Sequence, residues 1–355
     1  MTSMQQVHNG LEGIIAAETR LSMVDGERGE LVIAGTRVED LAGTHYEDLV
    51  ARLWKTAGFE GSVRALALPQ HTLDLLKSAA GASIEPMDAL RMAAGTLVAK
   101  NDADAATLLV SSFPTIVAAH WRFLHGREPL APRHDLGIAA NYLYMLNGVE
   151  PHAELVRGLE TYLNTVSDHG LNASTFTARV IASTGSDFVS AITGAIGALK
   201  GPLHGGAPGP ALDMVFEIGD ASRAEDVLRR KIESGERLMG FGHRVYKVRD
   251  PRADVLAAAA ERMFTRASDM HLYELARAVE ATALRLLEEH KPGRRLQTNV
   301  EFYTALLLHG LGLEVPLFTP TFAIGRVAGW TAHCFEQRAV GRIIRPQSVY
   351  VGAMP

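Results

Sequence analysis

The sequence predicts an all-α protein, because helical periodicity dominates wherever a pattern of apolar residues can be followed. Strand-like alternation is confined to two short segments, residues 30–33 and 348–351, which are too few to build a central sheet. An α/β architecture is therefore disfavoured. The chain of 355 residues is long enough to bury a sizeable core, in one large domain or in two unequal domains.

The helices can be placed by their apolar stripes and their stop signals. Residues 154–166 are typical of an amphipathic helix, with Pro151 suited to its first turn. Its apolar face consists of Leu155, Leu159, Tyr162, Leu163 and Val166. A second stripe runs from Leu272 to Leu287 and ends before Lys291, after which Pro and Gly stop the helix. Two further segments continue the helical prediction less clearly, 213–218 and 224–233.

The charge balance excludes several classes of partner. A net charge of -5 offers no electrostatic footprint for nucleic acid or anionic lipid, so we expect neither. Any anionic ligand must instead be held by a local cluster of cations. The longest uncharged apolar run, residues 188–199, is far shorter than the roughly 20 residues that cross a bilayer, and no membrane span is expected.

The single cysteine, Cys334, excludes an internal disulfide and a multi-cysteine zinc site. Its apolar neighbours Trp330 and Phe335 favour a core residue over a nucleophile. One cysteine suits a reducing compartment, and the first residues have neither the order of a secretory signal nor the Arg-rich character of a transit peptide. We therefore expect a cytoplasmic protein.

The common catalytic motifs are missing from the sequence. It contains no GxxxxGK[ST] phosphate loop, no HExxH, no GxSxG and no complete GxGxxG. The first unusual segment is GPLHGGA at 201–207, where three glycines and a proline surround His204 and predict a turn at a helix junction. A structural turn histidine is one interpretation. The other is a neutral imidazole, held at low pKa by a helix N-terminus, that donates a hydrogen bond to a carbonyl oxygen.

A second segment, GFGHRVYKVRDPRA at 240–253, places glycines on both sides of Phe241 and His243 directly after them. The glycines allow the backbone to approach a ligand closely. Four cations follow within nine positions, and they are Arg244, Lys247, Arg249 and Arg252. They could form a solvated helix face, but such a face does not need the glycines.

The third segment is NVEFY at 299–303, where Glu301 stands between Val300 and Phe302. A carboxyl group in apolar company resists ionisation unless it has hydrogen-bond partners, which suits a general base near a substrate. A surface Glu on an amphipathic helix is the alternative. The remaining candidates are His169 in DHGLNASTFTAR, Arg326 in FAIGRVAGWTAH and Arg345 in IIRPQS.

Together these segments resemble the citrate synthase family in order, spacing and flanking sequence. The resemblance covers nearly the whole chain, from GLEGIIAAETRLSMVDGERG at 10–29, through NYLYMLNG at 141–148, to RPQSVYVG at 345–352. The sequence looks most like the shorter bacterial and archaeal citrate and 2-methylcitrate synthases.

The resemblance implies a helical homodimer whose subunits have two domains. When the family's domains are matched to this sequence, the large domain comprises residues 1–206 and 311–355, and a smaller mobile domain comprises 207–310. The implied reaction is a Claisen condensation of acetyl-CoA or propionyl-CoA with oxaloacetate, followed by thioester hydrolysis. His204, His243 and Glu301 match the family's catalytic residues. Acyl-CoA is then a co-substrate, with no permanently bound cofactor and no metal.

The resemblance also assigns binding residues. His169, Arg252 and Arg326 match the family's contacts to oxaloacetate, and Arg345 matches a contact supplied by the partner subunit. Guanidinium groups suit this dicarboxylate, because each can bind a carboxylate through two parallel hydrogen bonds. For CoA the implied set is Leu238, Met239, Gly240, Phe241, Lys291 and Arg294.

Three positions depart from the family pattern. Glu301 stands where most members have Asp, Pro208-Gly209 stands where many have Asn-Glu, and Gly170 follows His169 in place of Glu. The first departure keeps an alternative open, a catalytically weak paralogue that binds acyl-CoA or a dicarboxylate as a sensor. A citryl-CoA lyase is a weaker third interpretation.

Overall fold

The computed structural model describes residues 7–11, 13–205, 208–243, 245–267 and 270–354. Within these ranges the chain forms fourteen α-helices and one small three-stranded sheet, so the prediction of an all-α fold is confirmed. The helices are α1 (Tyr46–Thr56), α2 (Gln70–Gly81), α3 (Pro86–Ala94), α4 (Asp102–Leu124), α5 (Ile138–Asn147), α6 (Ala153–Val166), α7 (Ala173–Ser183), α8 (Phe188–Leu199), α9 (Pro208–Ile218), α10 (Ala224–Glu233), α11 (Pro251–Ala267), α12 (His271–His290), α13 (Val300–Gly310) and α14 (Phe318–Val340).

Most predicted helices are found where the apolar stripes put them. The stripe over 154–166 becomes α6, and α12 ends at His290, directly before the predicted stop. Pro151 was wrongly assigned to the first turn, because His152 caps the helix and accepts from the backbone N–H of Glu154. In the described chain no single helix is long and apolar enough to cross a membrane, and α13 with 315–340 passes such a test only as a pair bent by 118°.

The sheet is an antiparallel meander of β1 (Ser22–Asp25), β2 (Glu30–Ile33) and β3 (Thr36–Arg37). β1 and β2 pair from Ser22↔Ile33 to Asp25↔Glu30, and the predicted strand at 30–33 is therefore confirmed. The predicted strand at 348–351 is wrong. These residues are exposed and pair with no strand in the described ranges, and alternation alone does not make a strand without a neighbour to bond with.

Helix α14 runs through the interior and packs against α1, α4, α6, α7 and α8. Its buried polar groups are paired, as when Thr331 accepts a 2.9 Å hydrogen bond from the indole of Trp54. Cys334 is fully buried on this helix, and burial raises the pKa of its thiol to about 12, which agrees with the predicted core role. The same helix carries the guanidinium of Arg326 into the interior, where it is only 1% exposed.

Helices α9 to α13 pack chiefly on one another, through α9 with α12 and α13, α10 with α12, and α11 with α13. Helix α11 also packs against α6 and the 3₁₀ turn Val38–Leu41. The predicted small domain, 207–310, would contain these five helices. Its first boundary, Gly206-Ala207, lies outside the described residues, and the division into domains stays a prediction.

Candidate active site

His204 lies in the turn that connects α8 to α9, as the sequence predicted. The turn is closed by a 2.9 Å hydrogen bond from the backbone N–H of His204 to the carbonyl of Gly201. The imidazole is partly buried, and its Nε2 lies 2.8 Å from Oγ of Ser174. Burial and the charge of Arg326 lower the pKa of His204 to about 4, so the ring is neutral at neutral pH.

The Ser174 hydroxyl occupies Nε2 of His204 and leaves Nδ1 for a ligand. Its oxygen accepts a 3.1 Å bond from the indole N–H of Trp330, which can only donate. Its single proton has two acceptors at 2.8 Å, Oδ1 of Asn172 and Nε2 of His204. When the proton points to His204, the ring carries its own proton on Nδ1, which is then the donor available to a ligand.

His243 is positioned by two short segments, 240–242 and 297–299, whose backbones are hydrogen-bonded to each other around a bridge between Phe241 and Thr298. The backbone N–H of Asn299 donates to Gly240, that of Gly242 donates to Gln297, and the Asn299 amide donates to the carbonyl of Gly242, at 2.7–3.0 Å. Gly240 has φ of 87°, and a Cβ there would lie 2.9 Å from Cβ of Phe302. Only glycine fits this close, left-handed position.

The tautomer of His243 follows from its own loop. Nδ1 accepts hydrogen bonds from the backbone N–H groups of Val245 and Tyr246, each at 3.0 Å. A neutral imidazole has one proton, so it must sit on Nε2, which points toward Nη2 of Arg252 at 3.4 Å. Nε2 of His243 and Nη2 of Arg252 are then neighbouring donors, and an oxygen acceptor placed beside both could accept from each. Burial and the charge of Arg252 lower the pKa of His243 to about 4.

Arg252 and Asp250 form a buried pair that joins the N-termini of α11 and α13. Nε of Arg252 donates to Oδ1 of Asp250 at 3.0 Å, and Nη2 donates to Oδ2 at 2.8 Å. Oδ2 also accepts from the backbone N–H of Val300 at 3.2 Å. The carboxylate thus holds one edge of the guanidinium and fixes it beside the start of α13.

Glu301 lies in the first turn of α13, where its backbone N–H is capped by Oδ1 of Asn299 at 3.0 Å. Its carboxyl group is partly buried. Burial raises the pKa of this carboxyl to about 7, although the charges of Arg252 and Arg237 act in the opposite direction. The group therefore changes charge near neutral pH, which suits a general base.

His169 and Arg326 complete the charged lining. Nε of Arg326 donates to the carbonyl of Val166 at 2.6 Å, and burial lowers the pKa of this arginine to about 10. His169 Nε2 lies 3.2 Å from the hydroxyl of Tyr246, and its ring centroid lies 5.9 Å from that of His243. Burial, together with the charges of Arg252 and Arg326, lowers the pKa of His169 well below its usual value.

The two buried guanidinium groups connect these residues electrostatically. Arg326 lowers the pKa of both His204 and His169, whereas Arg252 lowers that of His243 and His169. Neutral imidazoles add no charge of their own, and Asp250 compensates the charge of Arg252. The charge of Arg326, together with the N–H groups of Arg252 that Asp250 does not occupy, favours an anionic ligand.

The comparison with known families agrees with this geometry. The sequence model described as citrate synthase, C-terminal domain, matches residues 10–347, which is almost the whole chain. The chain belongs to the citrate synthase family. Relatives include the citrate synthase of Haloferax volcanii, 38% identical over 98% of this chain and 96% of that protein, and citrate synthase 2 of Bacillus subtilis, 39% identical over 97% and 95%.

Solved citrate synthases share the fold. The enzyme from Pyrobaculum aerophilum superposes with a TM-score of 0.86 and 35% identity, covering 98% of this chain and 93% of that one. The citrate synthase of Thermoplasma acidophilum, solved as a ternary complex with carboxymethyl coenzyme A and oxaloacetate, also gives a TM-score of 0.86, at 28% identity and coverage of 99% of this chain and 97% of that one.

Not every residue that the citrate synthase resemblance selects lies in this cluster. Arg345 is exposed in the C-terminal segment, with no described contact to the cluster, and Lys291 and Arg294 are exposed in the turn after α12. Leu238, Gly240 and Phe241 are buried beside the paired segments, and Met239 is partly buried. Arg244 lies outside the described residues.

Sequence reasoning missed four residues of this cluster. Ser174 contacts His204, Tyr246 contacts His169, Asp250 pairs with Arg252, and Asn299 joins the two paired segments. Asp250 and Asn299 could have been found, because Asp before Pro and Asn before an apolar turn are typical helix caps. Ser174 and Tyr246 carry no local signal of this kind.

Proposed function

We propose that the chain joins the methyl carbon of acetyl-CoA to the keto carbon of oxaloacetate and hydrolyses the new thioester, which releases citrate and CoA. One observation carries the proposal. Nε2 of His243 and Nη2 of Arg252 are neighbouring donors 3.4 Å apart, and paired backbone segments connect His243 to Glu301, whose pKa near 7 suits proton abstraction. A donor pair for a keto oxygen thus lies beside a base.

Oxaloacetate would be held by His169, Arg252 and Arg326. The two arginines are buried, and a carboxylate partner offsets the desolvation cost of a buried guanidinium group most effectively. Asp250 occupies one edge of Arg252 and leaves the remaining N–H groups for the substrate. We propose that Arg345 of the partner subunit supplies a further contact in a homodimer, which accounts for its exposure in a single chain.

The chemistry would run in three steps. The Glu301 carboxylate takes a proton from the thioester methyl group, while Nδ1–H of His204 donates a hydrogen bond to the thioester oxygen and stabilises the enolate. The enolate carbon attacks the keto carbon, and His243 Nε2 gives its proton to the keto oxygen. Water then attacks the new thioester carbonyl, the C–S bond breaks, and the sulfur leaves as the CoA thiol.

CoA would bind along Leu238, Met239, Gly240 and Phe241, with Lys291 and Arg294 beside its phosphates. The exposure of both cations supports this assignment, since phosphates reach solvent-facing groups most easily. We further propose that residues 207–310 close over oxaloacetate and expel water before the methyl proton is removed. The single, buried cysteine supports a cytoplasmic location.

A thiol-release assay tests the proposal. Oxaloacetate with acetyl-CoA should release CoA, and omission of oxaloacetate should abolish the release. Propionyl-CoA, assayed in parallel, tests for 2-methylcitrate formation. A hydrophobic pocket discriminates between acyl groups that differ by one methylene by only about 1 to 3 kcal/mol of transition-state binding free energy. Absence of turnover with both thioesters, together with binding of either substrate, would favour the catalytically weak paralogue, for which the comparisons give no support.

A further inference from the structure

The tip of the β1–β2 hairpin is in backbone contact with the loop that follows His243. The carbonyl of Gly26 accepts a 2.8 Å hydrogen bond from the N–H of Lys247. A Cβ on Gly26 would lie 2.2 Å from the carbonyl oxygen of Val245, and one on Gly29 would lie 2.7 Å from Cγ2 of Val248. The two segments therefore touch through their main chains, with no space for a methyl group between them.

The other end of β1 holds the segment that carries His169. The Ser22 hydroxyl donates to Oδ2 of Asp168 at 2.5 Å and accepts from the N–H of Gly170 at 2.8 Å. Asp168 is fully buried, and its Oδ1 lies 3.2 Å from Nε2 of the buried His333. Ser22 thus binds the residues on both sides of His169.

The hairpin between these contacts is stiff for its size. Oδ1 of Asp25 accepts from the N–H groups of Glu27 and Arg28 at 3.0 and 2.9 Å, which fixes the turn. Leu31 and Ile33 of β2 are buried in the core and anchor the hairpin. At about 3.3 Å per strand residue, β1 spans roughly 10 Å from Ser22 to Asp25, the residue before Gly26.

We propose that the β1–β2 hairpin is a positioning element that sets the distance between His169 and His243, with Gly26 and Ser22 as its two points of attachment. The inference rests on the roles proposed above for these histidines. It predicts that a change at the tip of the hairpin acts on catalysis, because a displacement of about 1 Å in a tuned site can cost on the order of a hundredfold in rate.

Gly26→Ala tests the tip, and Gly43→Ala is the matched control. Neither glycine has a positive φ, so alanine is tolerated by both backbones, but a Cβ on Gly43 would meet nothing within 4 Å. We expect Gly26→Ala to lower kcat/KM for oxaloacetate about a hundredfold. The KM for acetyl-CoA and the apparent pKa of the pH profile should stay close to those of Gly43→Ala, whereas the melting temperature should fall, because the new Cβ overlaps the carbonyl of Val245.

Ser22→Ala tests the other attachment without adding atoms, and it should raise the KM for oxaloacetate while leaving the KM for acetyl-CoA unchanged. Ser22→Ala also tests the role of the hairpin by itself if Gly26→Ala does not yield folded protein. The inference would be overturned if kcat/KM and KM for oxaloacetate, in both Ser22→Ala and Gly26→Ala, stayed within threefold of the Gly43→Ala control. His243→Ala is measured beside them: if it is inactive while both variants are normal, only this inference fails, whereas an active His243→Ala refutes the proposed site itself.

Discussion

Oγ of Ser174 lies 2.8 Å from Nε2 of His204, so the hydroxyl and the imidazole share one proton position. The contact determines whether Nδ1 of His204 is a donor or an acceptor. A donor at Nδ1 stabilises an enolate oxygen, whereas an acceptor repels it.

Ser174→Ala should therefore lower kcat about ten- to a hundredfold, because the productive tautomer of His204 loses its support. The KM for oxaloacetate should change by less than about twofold, since the arginines are untouched. Steady-state kinetics measures both, with Ser78→Ala on an exposed face of α2 as the control. An unchanged kcat would show that His204 needs no fixed tautomer.

His204→Ala and His243→Ala should each reduce kcat by about a hundredfold or more, and far more than they weaken oxaloacetate binding. Both rings are assigned to charge that appears only in the transition state. Equilibrium binding of oxaloacetate, measured by calorimetry, supplies the comparison. If the substitutions changed only KM, these histidines would be binding residues without a role in the chemical step.

The pH profile should report Glu301. Burial raises the pKa of its carboxyl to about 7, and a base must be ionised to accept a proton. At pH 6 only about a tenth of the molecules should therefore be competent, and kcat/KM should rise with pH and level off above neutrality. Glu301→Gln should abolish proton exchange at the acyl methyl group, because a carboxamide cannot accept the proton.

The raised pKa of Glu301 also predicts how the Glu301→Gln substitution affects the stability of the fold. A folded-state pKa above the unfolded value means that this carboxyl contributes stability in acid and that the contribution is lost as pH rises through about 7. The Gln variant should consequently melt no lower than wild type at pH 8. A lower melting temperature would mean that inactivity reflects lost folding.

Glu301→Asp should lower turnover about ten- to a hundredfold, because a site arranged for the longer side chain misplaces the shorter one by on the order of 1 Å. Glu and Asp have similar intrinsic pKa values, about 4.3 and 3.9, so basicity does not explain the loss. A sharp increase from a negligible wild-type rate would contradict the assignment of Glu301 as the native base.

Mixing Arg345→Ala chains with His243→Ala chains should restore activity if a homodimer shares Arg345 across its interface. One site of each heterodimer then has both groups, so random exchange should recover about a quarter of wild-type activity. The control mixes His243→Ala with Arg252→Ala, whose losses fall within one subunit's site. Absence of recovery after confirmed exchange would count against the shared arginine.

The buried thiol of Cys334 should resist disulfide reagents in the native enzyme, because its pKa is raised to about 12 and the side chain is fully buried. Labelling at pH 8 should be at least about a thousandfold slower than in denaturant. The thiol-release assay then has little background. Rapid labelling of the native chain would place Cys334 within reach of solvent.

Sequence patterns located those parts of the site that are local in the chain. His204, His243 and Glu301 each stand in an unusual setting of glycines or apolar residues, and helix stripes placed α6 and α12. Contacts across long separations were not predictable, such as His169 with Tyr246, which are 77 residues apart, or Asp168 with His333, which are 165 apart. Spacing within a segment carries no information on such pairs.

The backbone pairing of 240–242 with 297–299 has a consequence for redesign. It makes His243 and Glu301, the proposed acid and the proposed base, parts of one hydrogen-bonded unit, because His243 directly follows the first paired segment and Glu301 lies two residues after the second. A displacement of this unit as a whole would leave the separation of the two residues unchanged. An engineer seeking to admit a bulkier acyl chain would therefore preserve this unit and vary the surroundings of His204, whose ring centroid lies 6.5 Å from that of Phe322.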